Sequence, residues 1–389
     1  MASSITANVL AQNLITDGED QYCVLITDAG RVRVGWRQLP DGVWRFNTIG
    51  STMLGQPVAD DEHCYPTIGI DDDGFLFVLA NMHVGPLRMV RSKLPRRTDA
   101  GWKAVSLPAA FSRNTYPLLA RLADGTLWLH LRAGEKGGPG RSDSYVWLRR
   151  DGQWSGPTKL FKGVNVAGGS GPEIDDSTNY SAYPMRPHVD NYGTTMHLAW
   201  CWRTWGDDAS MRTGDASRSN FGLSYARSHN GLSWYTIDGT PLKLPIDPIH
   251  DTASQTLELP SFVNGGGITV GDDDDVHLVV SRAPYWHVWH DNGWRTEQLP
   301  DPAGPVNWTG FLTPHWYDGK LWLLGTEGAE RRLVLARPDG SDVTELGRPG
   351  QDWSTHADPE QARRGRIEVL LPDGDLPATV AAPTTASIA

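Results

Sequence analysis

Ile68-Gly69-Ile70-Asp71-Asp72-Asp73-Gly74-Phe75-Leu76-Phe77-Val78-Leu79 reads as a strand, an acidic glycine turn and a second strand. Branched and aromatic residues suit a pleated, buried surface, and an Asp–Gly pair supplies the tight reversal. The same grammar recurs outward from it. Thr27-Asp28-Ala29-Gly30 leads into Arg31–Trp36, Asp124-Gly125 into Thr126–His130, and Asn191-Tyr192-Gly193 into Met196–Trp200. Asp273-Asp274-Asp275 leads into Val276–Val280, and Asp318-Gly319 into Lys320–Leu324. Several units continue to a second turn carrying tryptophan: Asp41-Gly42-Val43-Trp44, Asp151-Gly152-Gln153-Trp154, His229-Asn230-Gly231-Leu232-Ser233-Trp234 and Asp291-Asn292-Gly293-Trp294.

Successive units begin roughly 45–50 residues apart, stretched to roughly 65–80 in the middle by long loops, which is the period of a four-stranded propeller blade. No long segment carries a clean helical period. Six units are visible, and Gly365–Leu371 combined with Tyr22–Ile26 supplies a seventh. A blade shared between the chain ends closes the ring and removes its exposed edges. The expectation is an all-β, seven-bladed β-propeller, with six or eight blades as alternatives. Residues 1–376 form one catalytic domain, and the Ala-, Thr- and Pro-rich tail, 377–389, is expected to be disordered.

Composition bounds the function. The 389 residues are 39% hydrophobic and 21% charged, as in a soluble globular protein, with 17 tryptophans and 42 glycines serving strand-rich cores and turns. The net charge of −11 argues against a nucleic-acid surface. The one basic cluster, Arg91 to Arg97, is interrupted by Pro95 and reads as an exposed loop. Focused arginines can still hold a small anion on an acidic protein. Cys23, Cys64 and Cys201 are odd in number and lack metal-binding spacing. No signal peptide or membrane span is evident, so the expected location is cytoplasmic as written, or secreted if a signal peptide was removed.

Two pairs of residues stand out. His63 and His83 flank the opening hairpin, twenty residues apart, so the chain's reversal can bring both imidazoles to one end of a sheet. Tyr116 and Arg132 flank the next hairpin, sixteen residues apart. Tyr-Pro occurs at Tyr65-Pro66, Tyr116-Pro117 and Tyr183-Pro184, so these tyrosines can equally belong to the repeat and merely pack. Arg132 can clamp a carboxylate or serve an inter-blade ion pair, and Arg203 is similar. Trp202 or Trp205 can stack on a sugar or fill the core. His130, His197 and His277 lie inside regular strands and are read as structural. Asp272 to Asp275 lack the spacing and terminal Glu of an EF-hand loop.

These segments resemble the BNR-repeat-4 family of seven-bladed propellers, which includes ulvan lyases and rhamnose-glucuronate lyases. The resemblance rests on His63-Cys64-Tyr65-Pro66, Asp71-Asp72-Asp73-Gly74, Met82-His83, Pro86-Leu87-Arg88 and Arg91-Ser92. It continues through Trp200-Cys201-Trp202-Arg203, Leu223–Ser228 and Gly231-Leu232-Ser233-Trp234, covers most of residues 20–240, and fades toward the C-terminus. It implies a catalytic set of His63, His83, Tyr116 and Arg132, with Arg88, His188, Trp202, Arg203 and Asn220 binding substrate. Cys64 replaces the family's usual Asn, and Asn220-Phe221 stands where many relatives have Asn-His.

The activity implied is β-elimination at C4 of a uronic acid in an oligosaccharide or polysaccharide, with a rhamnose-glucuronate linkage favoured. Arg132 would neutralise the uronate carboxylate, aided by Arg203 or Asn220. His83 is the choice for base at C5, and Tyr116 for acid at O4, with His63 orienting or sharing that role. No cofactor is required, and a structural cation is compatible, although no ligand spacing identifies its site. Neither nucleic acid nor membrane is an expected partner. A hydrolase on the same propeller would instead need paired carboxylates, for which Glu173, Asp175 and Asp208 are candidates. A non-catalytic glycan-binding propeller would need only stacking tryptophans.

Overall fold

The structure is a computed structural model. It describes residues 12–388 except 28–29, 57–60, 62, 135–142, 166–178, 191–192, 205–219, 249–253, 255, 257–258, 260–265, 281–284, 300–305, 307, 309–311, 329–331, 348–356, 365 and 372–383. Among the described residues, six antiparallel sheets of four or five strands follow one another along the chain, and a two-stranded sheet comes after them. The first holds β1 (Leu14–Asp17), β2 (Asp20–Ile26), β3 (Val32–Gln38) and β4 (Arg45–Thr48). After the short helix α1 (Ser51–Leu54) come β5 (Thr67–Ile70), β6 (Leu76–Leu79), β7 (Met89–Ser92) and β8 (Trp102–Ala104). The third sheet holds β9 (Arg113–Arg121), β10 (Leu127–Gly134), β11 (Asp143–Arg150) and β12 (Gln153–Phe161). The fourth holds β13 (Val164–Asn165), β14 (Asn179–Pro184), β15 (His188–Val189), β16 (Met196–Thr204) and β17 (Asn220–Ser228). The fifth holds β18 (Gly266–Val270), β19 (Val276–Val280), β20 (Trp286–His290) and β21 (Trp294–Gln298). The sixth holds β22 (Thr313–Tyr317), β23 (Lys320–Glu327), β24 (Arg332–Ala336) and β25 (Thr344–Gly347).

The propeller therefore has six blades, which corrects the expected seven. The proposed shared blade fails for a physical reason. Tyr22–Ile26 lies inside β2, whose two edges are already bonded to β1 and β3, so it has no edge to offer. Residues Ile367–Leu371 (β26) pair instead with Thr384–Ile388 (β27), inside the stretch expected to be a disordered tail. Before β26, helix α2 (Pro359–Arg363) packs against β1 and β22. Its N-cap, Asp358, accepts from the amides of Glu360 and Gln361 and from the Thr16 hydroxyl at 2.6 Å.

One strand of each blade faces the axis: β1, β5, β9, β15, β18 and β22 contact one another in succession. They border an axial cavity of about 130 Å³. Between blades the core is filled by large rings, including the fully buried Trp128, Trp147, Trp200, Trp202 and Trp234. Turns of neighbouring blades pack so closely that Gly125, at φ 81°, admits no side chain: a Cβ there would lie 2.5 Å from Cβ of Asp72.

Candidate active site

The register of the second blade explains the histidine spacing. Thr67 pairs with Leu79 at the open end of the β5–β6 hairpin, and the same register carried four residues further sets His63 opposite His83. Their rings stack, with centroids 4.1 Å apart and planes 18° from parallel. Asp61, absent from the residues singled out in the sequence, holds both. Its Oδ1 lies 2.6 Å from Nδ1 of His63 and its Oδ2 lies 2.5 Å from Nδ1 of His83. Oδ1 also accepts the His63 amide at 3.0 Å, and the Cys64 thiol approaches Oδ2 at 3.8 Å. The only sequence signal for this role was the proximity of Asp61 to His63.

This bridge fixes the chemistry of both rings. Burial alone would raise the Asp61 pKa, but hydrogen bonds from His63 and His83 outweigh it and hold the carboxyl below its ordinary value. An ionised carboxylate accepts only, so both imidazoles must donate from Nδ1. Each then presents Nε2, with its lone pair when neutral. Burial is the largest influence on His83 and lowers its pKa. Asp61 pulls upward, His63 and Arg132 push downward, and the net is below the ordinary 6.5. At neutral pH His83 is an uncharged base.

The third blade brings its pair alongside. Leu118 pairs with His130, but a bulge shifts the register so that Thr115 faces Arg132 and Tyr116-Pro117 is left unpaired. Tyr116 occupies this bulge at φ 55°, an uncommon conformation for a bulky residue. Neighbouring contacts hold it: the Thr115 hydroxyl accepts the Val84 amide at 2.8 Å, and Asn114 bridges Gly85. The ring of Tyr116 lies 5.6 Å from that of His63 and 5.7 Å from that of Tyr183. The guanidinium carbon of Arg132 sits 4.4 Å from the Tyr116 ring centre and 5.0 Å from that of Tyr183.

His63, His83, Tyr116 and Arg132 are thus one cluster, extended by Tyr183 and Arg203. The Arg203 guanidinium lies 5.5 Å from the Tyr183 ring centre, and Arg203 pairs with Asn220 across β16 and β17. Tyr183 entered the sequence reading only as a repeat residue, yet it shares hydrogen bonds with both Tyr116 and Arg132. Burial, joined by Tyr183, raises the Tyr116 pKa, so the phenol stays protonated across the neutral range. Burial tends to lower the Arg132 pKa, but Tyr183 and Tyr116 reverse this and the net is upward. Arg132 remains a cation.

The other expected binding residues lie elsewhere. Arg88 donates to the main-chain oxygens of Asn81 and Gln56, tying the loop after α1 to the loop after β6. Trp202 is buried edge-on against Phe161 at 6.0 Å, in the core. His188 lies on the wall of the axial cavity. Trp205, Glu173, Asp175 and Asp208 lie outside the described residues, as do 135–142, 166–178 and 205–219 of the long excursions. All three cysteines are buried, and none is in a disulfide.

Among the described residues, two groups have ligand atoms close enough for a metal ion: Asp61, His63 and His83, and Asp71, Asp72 and Asp73. The second fits poorly. Asp71 is already engaged by the Phe75 amide at 2.7 Å and by Arg149 Nε at 2.6 Å. The first has the nitrogen and oxygen donors that suit zinc. A metal on the three atoms that now meet would displace both Asp61–imidazole hydrogen bonds. Among the described residues, no helix is long and apolar enough to cross a membrane.

A six-bladed BNR-type propeller with an acid–base cluster on one face defines the class, and comparison with known proteins supplies the family. The model of the BNR repeat-containing family matches residues 20–301, well over half the chain, and the protein belongs to that family. No curated protein sequence matches it. A polysaccharide lyase described as a PL25 ulvan lyase is similar at TM-score 0.69 and 16% identity, over 89% of this chain and 83% of that one. The same enzyme bound to -[GlcA(1-4)Rha3S]- gives 0.68 and 15%, over 88% and 85%. The polysaccharide lyase Uly1 gives 0.63 and 15%, over 86% and 80%. At these identities the likeness is one of fold.

Proposed function

We propose that this protein is a carbohydrate lyase that cleaves the glycosidic bond at C4 of a uronic acid by β-elimination. The observation that carries the reading is the Asp61-bridged pair of imidazoles beside a neutral, buried phenol and a buried cation. Elimination needs those parts. Removing the C5 proton of a uronate places further charge on a group already anionic. Arg132, with Arg203 and Asn220 beside it, neutralises the carboxylate and stabilises the enolate as it forms. Nε2 of neutral His83 takes the C5 proton. The Tyr116 hydroxyl gives its proton to O4 as the C4–O4 bond breaks, leaving a C4=C5 double bond. The tyrosinate so formed faces Arg132, and the proton on His83 returns to it through solvent. His63, held by the same carboxylate, keeps the acid side of the site in place.

The substrate class we favour is a glucuronate–rhamnose linkage. A lyase of similar fold is described bound to -[GlcA(1-4)Rha3S]-. The net charge of −11 favours a short, sparsely sulfated chain over a heavily sulfated polymer. A hydrolase has less support: Asp61 is the one carboxylate described within the cluster, and both its oxygens are committed to imidazoles. Mass spectrometry after digestion of glucuronate–rhamnose oligosaccharides decides between them. Elimination conserves total mass and gives an unsaturated uronate. Products that together gain one water, with no unsaturated sugar, would refute the lyase.

A further inference from the structure

Arg186 lies between β14 and β15, only 9% exposed, and lines the axial cavity of about 130 Å³. Among the described residues its guanidinium has no hydrogen-bond or ion-pair partner. Its electrostatic neighbour is Asp358, whose carboxylate is already taken by Thr16 at 2.6 Å, Gln21 at 3.0 Å and the first amides of α2. A buried guanidinium offers five donors, and leaving them unused is costly, so such groups are normally paired. Burial lowers the Arg186 pKa to about 10, which still leaves it charged at neutral pH. The other charged side chains on the wall are balanced: Arg121 is held by Asp17 at 2.8 Å, and Glu360 by Arg364 at 3.1 Å. Polar groups line the same cavity. They include His188, His315 and Thr269, whose hydroxyl accepts the Trp316 amide at 3.2 Å and keeps its own proton to donate.

We propose that the axial channel is a binding site for a small oxyanion, with Arg186 as its principal ligand. The cavity wall is mixed, with more apolar than polar surface, and the space is large enough for several waters or one compact anion. It is separate from the catalytic cluster. Tyr116 lies near the start of β9, whereas Leu119, Ala120 and Arg121, toward its end, line the cavity. Sulfate, phosphate and a carboxylate share the chemistry that a guanidinium recognises in paired hydrogen bonds.

The test titrates the full chain with sodium sulfate, sodium phosphate or sodium acetate at an ionic strength held constant with sodium chloride. The readout is melting temperature. A saturable rise is expected in at least one series; a response to acetate alone identifies a carboxylate, and a response to sulfate or phosphate a tetrahedral anion. Arg186→Gln should weaken the apparent affinity roughly 10–100-fold, the scale of lost charge-assisted hydrogen bonds. No saturable rise in any series, or the same titration curve in the variant, overturns the proposal. Should Arg186→Gln not fold, wild-type crystals grown with selenate decide. Anomalous density within hydrogen-bond distance of Arg186 supports the site; selenate elsewhere, an adventitious ion only, or none at saturation, overturns it.

Discussion

Asp61→Asn keeps the shape of the side chain beneath the two imidazoles and removes its charge. In the native site both carboxylate oxygens accept Nδ1–H, at 2.6 and 2.5 Å. An amide offers one acceptor and one donor. Its oxygen can hold one ring as before, but its NH2 must donate to Nδ1 of the other, which moves that ring's proton to Nε2. One imidazole then presents a proton where the reaction needs a lone pair. The same change in the orienting Asp of a serine-protease triad costs about 10⁴ in kcat. Here one of two rings retains its tautomer, so a loss of roughly 10²–10⁴ is expected, or about 3–5 kcal/mol of barrier. A second readout separates orientation from mere packing. Asp61 pulls the His83 pKa upward, so without it the acid limb of kcat/KM should move to lower pH. The assay is ultraviolet absorbance of the unsaturated product across pH, with circular dichroism to establish folding. A folded variant within about threefold of native turnover, with its acid limb unmoved, would refute the assigned role of Asp61.

Tyr116→Phe keeps the ring that Arg132 faces at 4.4 Å and removes only the phenol proton. Steady-state kinetics should show kcat lower by roughly 10²–10³ with little change in KM, and an unchanged kcat would exclude Tyr116 as the acid. Burial depresses the pKa of His130 to about 3 and of His197 to about 4, from 6.5 in each case. The unfolded chain therefore takes up protons near pH 6.5 while the fold does not, so stability present above pH 6.5 is lost as pH falls toward 4. His197 alone contributes about 3 kcal/mol. The raised pKa of Asp358 acts in the opposite sense, and a melting temperature that stays flat as pH falls from 6.5 to 4 would contradict the account. Chelation of divalent ions should leave turnover intact if His63 and His83 act as acid–base groups. Activity lost to a chelator and restored by zinc would assign Asp61, His63 and His83 to a metal centre instead.

The sequence exposed what local physics determines. Acidic glycine turns and alternating strands gave the blades, and hairpin symmetry gave the juxtaposition of His63 with His83 and of Tyr116 with Arg132. Blade number was not legible in the same way, because it depends on which edges remain free. The strand around Ile367 looks like any other in isolation; only the three-dimensional pairing shows β2 to be an interior strand with both edges used. Asp61 was hidden for a related reason. A carboxylate near a histidine is common, and its reach to His83, twenty-two residues away, exists only once the hairpin closes. Trp202 shows the converse. Alternating tryptophans suit a sugar platform or a core equally well, and here both faces of β16 are covered, so Trp202 lies in the core.

The three Tyr-Pro pairs show how one repeat yields different roles. Tyr65, Tyr116 and Tyr183 come from successive blades and meet at one end of the propeller. Proline fixes the backbone beside each, so the repeat delivers three rings to nearly equivalent places. Their fates then diverge through backbone detail. Tyr65 is fully buried, with its hydroxyl 3.4 Å from the carbonyl of Pro117, and it supports the bulged segment from beneath. Tyr116 stands in that bulge with positive φ and lies between His63 and Arg132. Tyr183 ties Arg132 to Arg203. A packing residue has no need of an unfavourable backbone conformation, whereas a group that must reach a reacting atom gains from one when its surroundings hold it there. The bulge at Tyr116, more than the motif that carries it, distinguishes the tyrosine proposed as the acid from the other two.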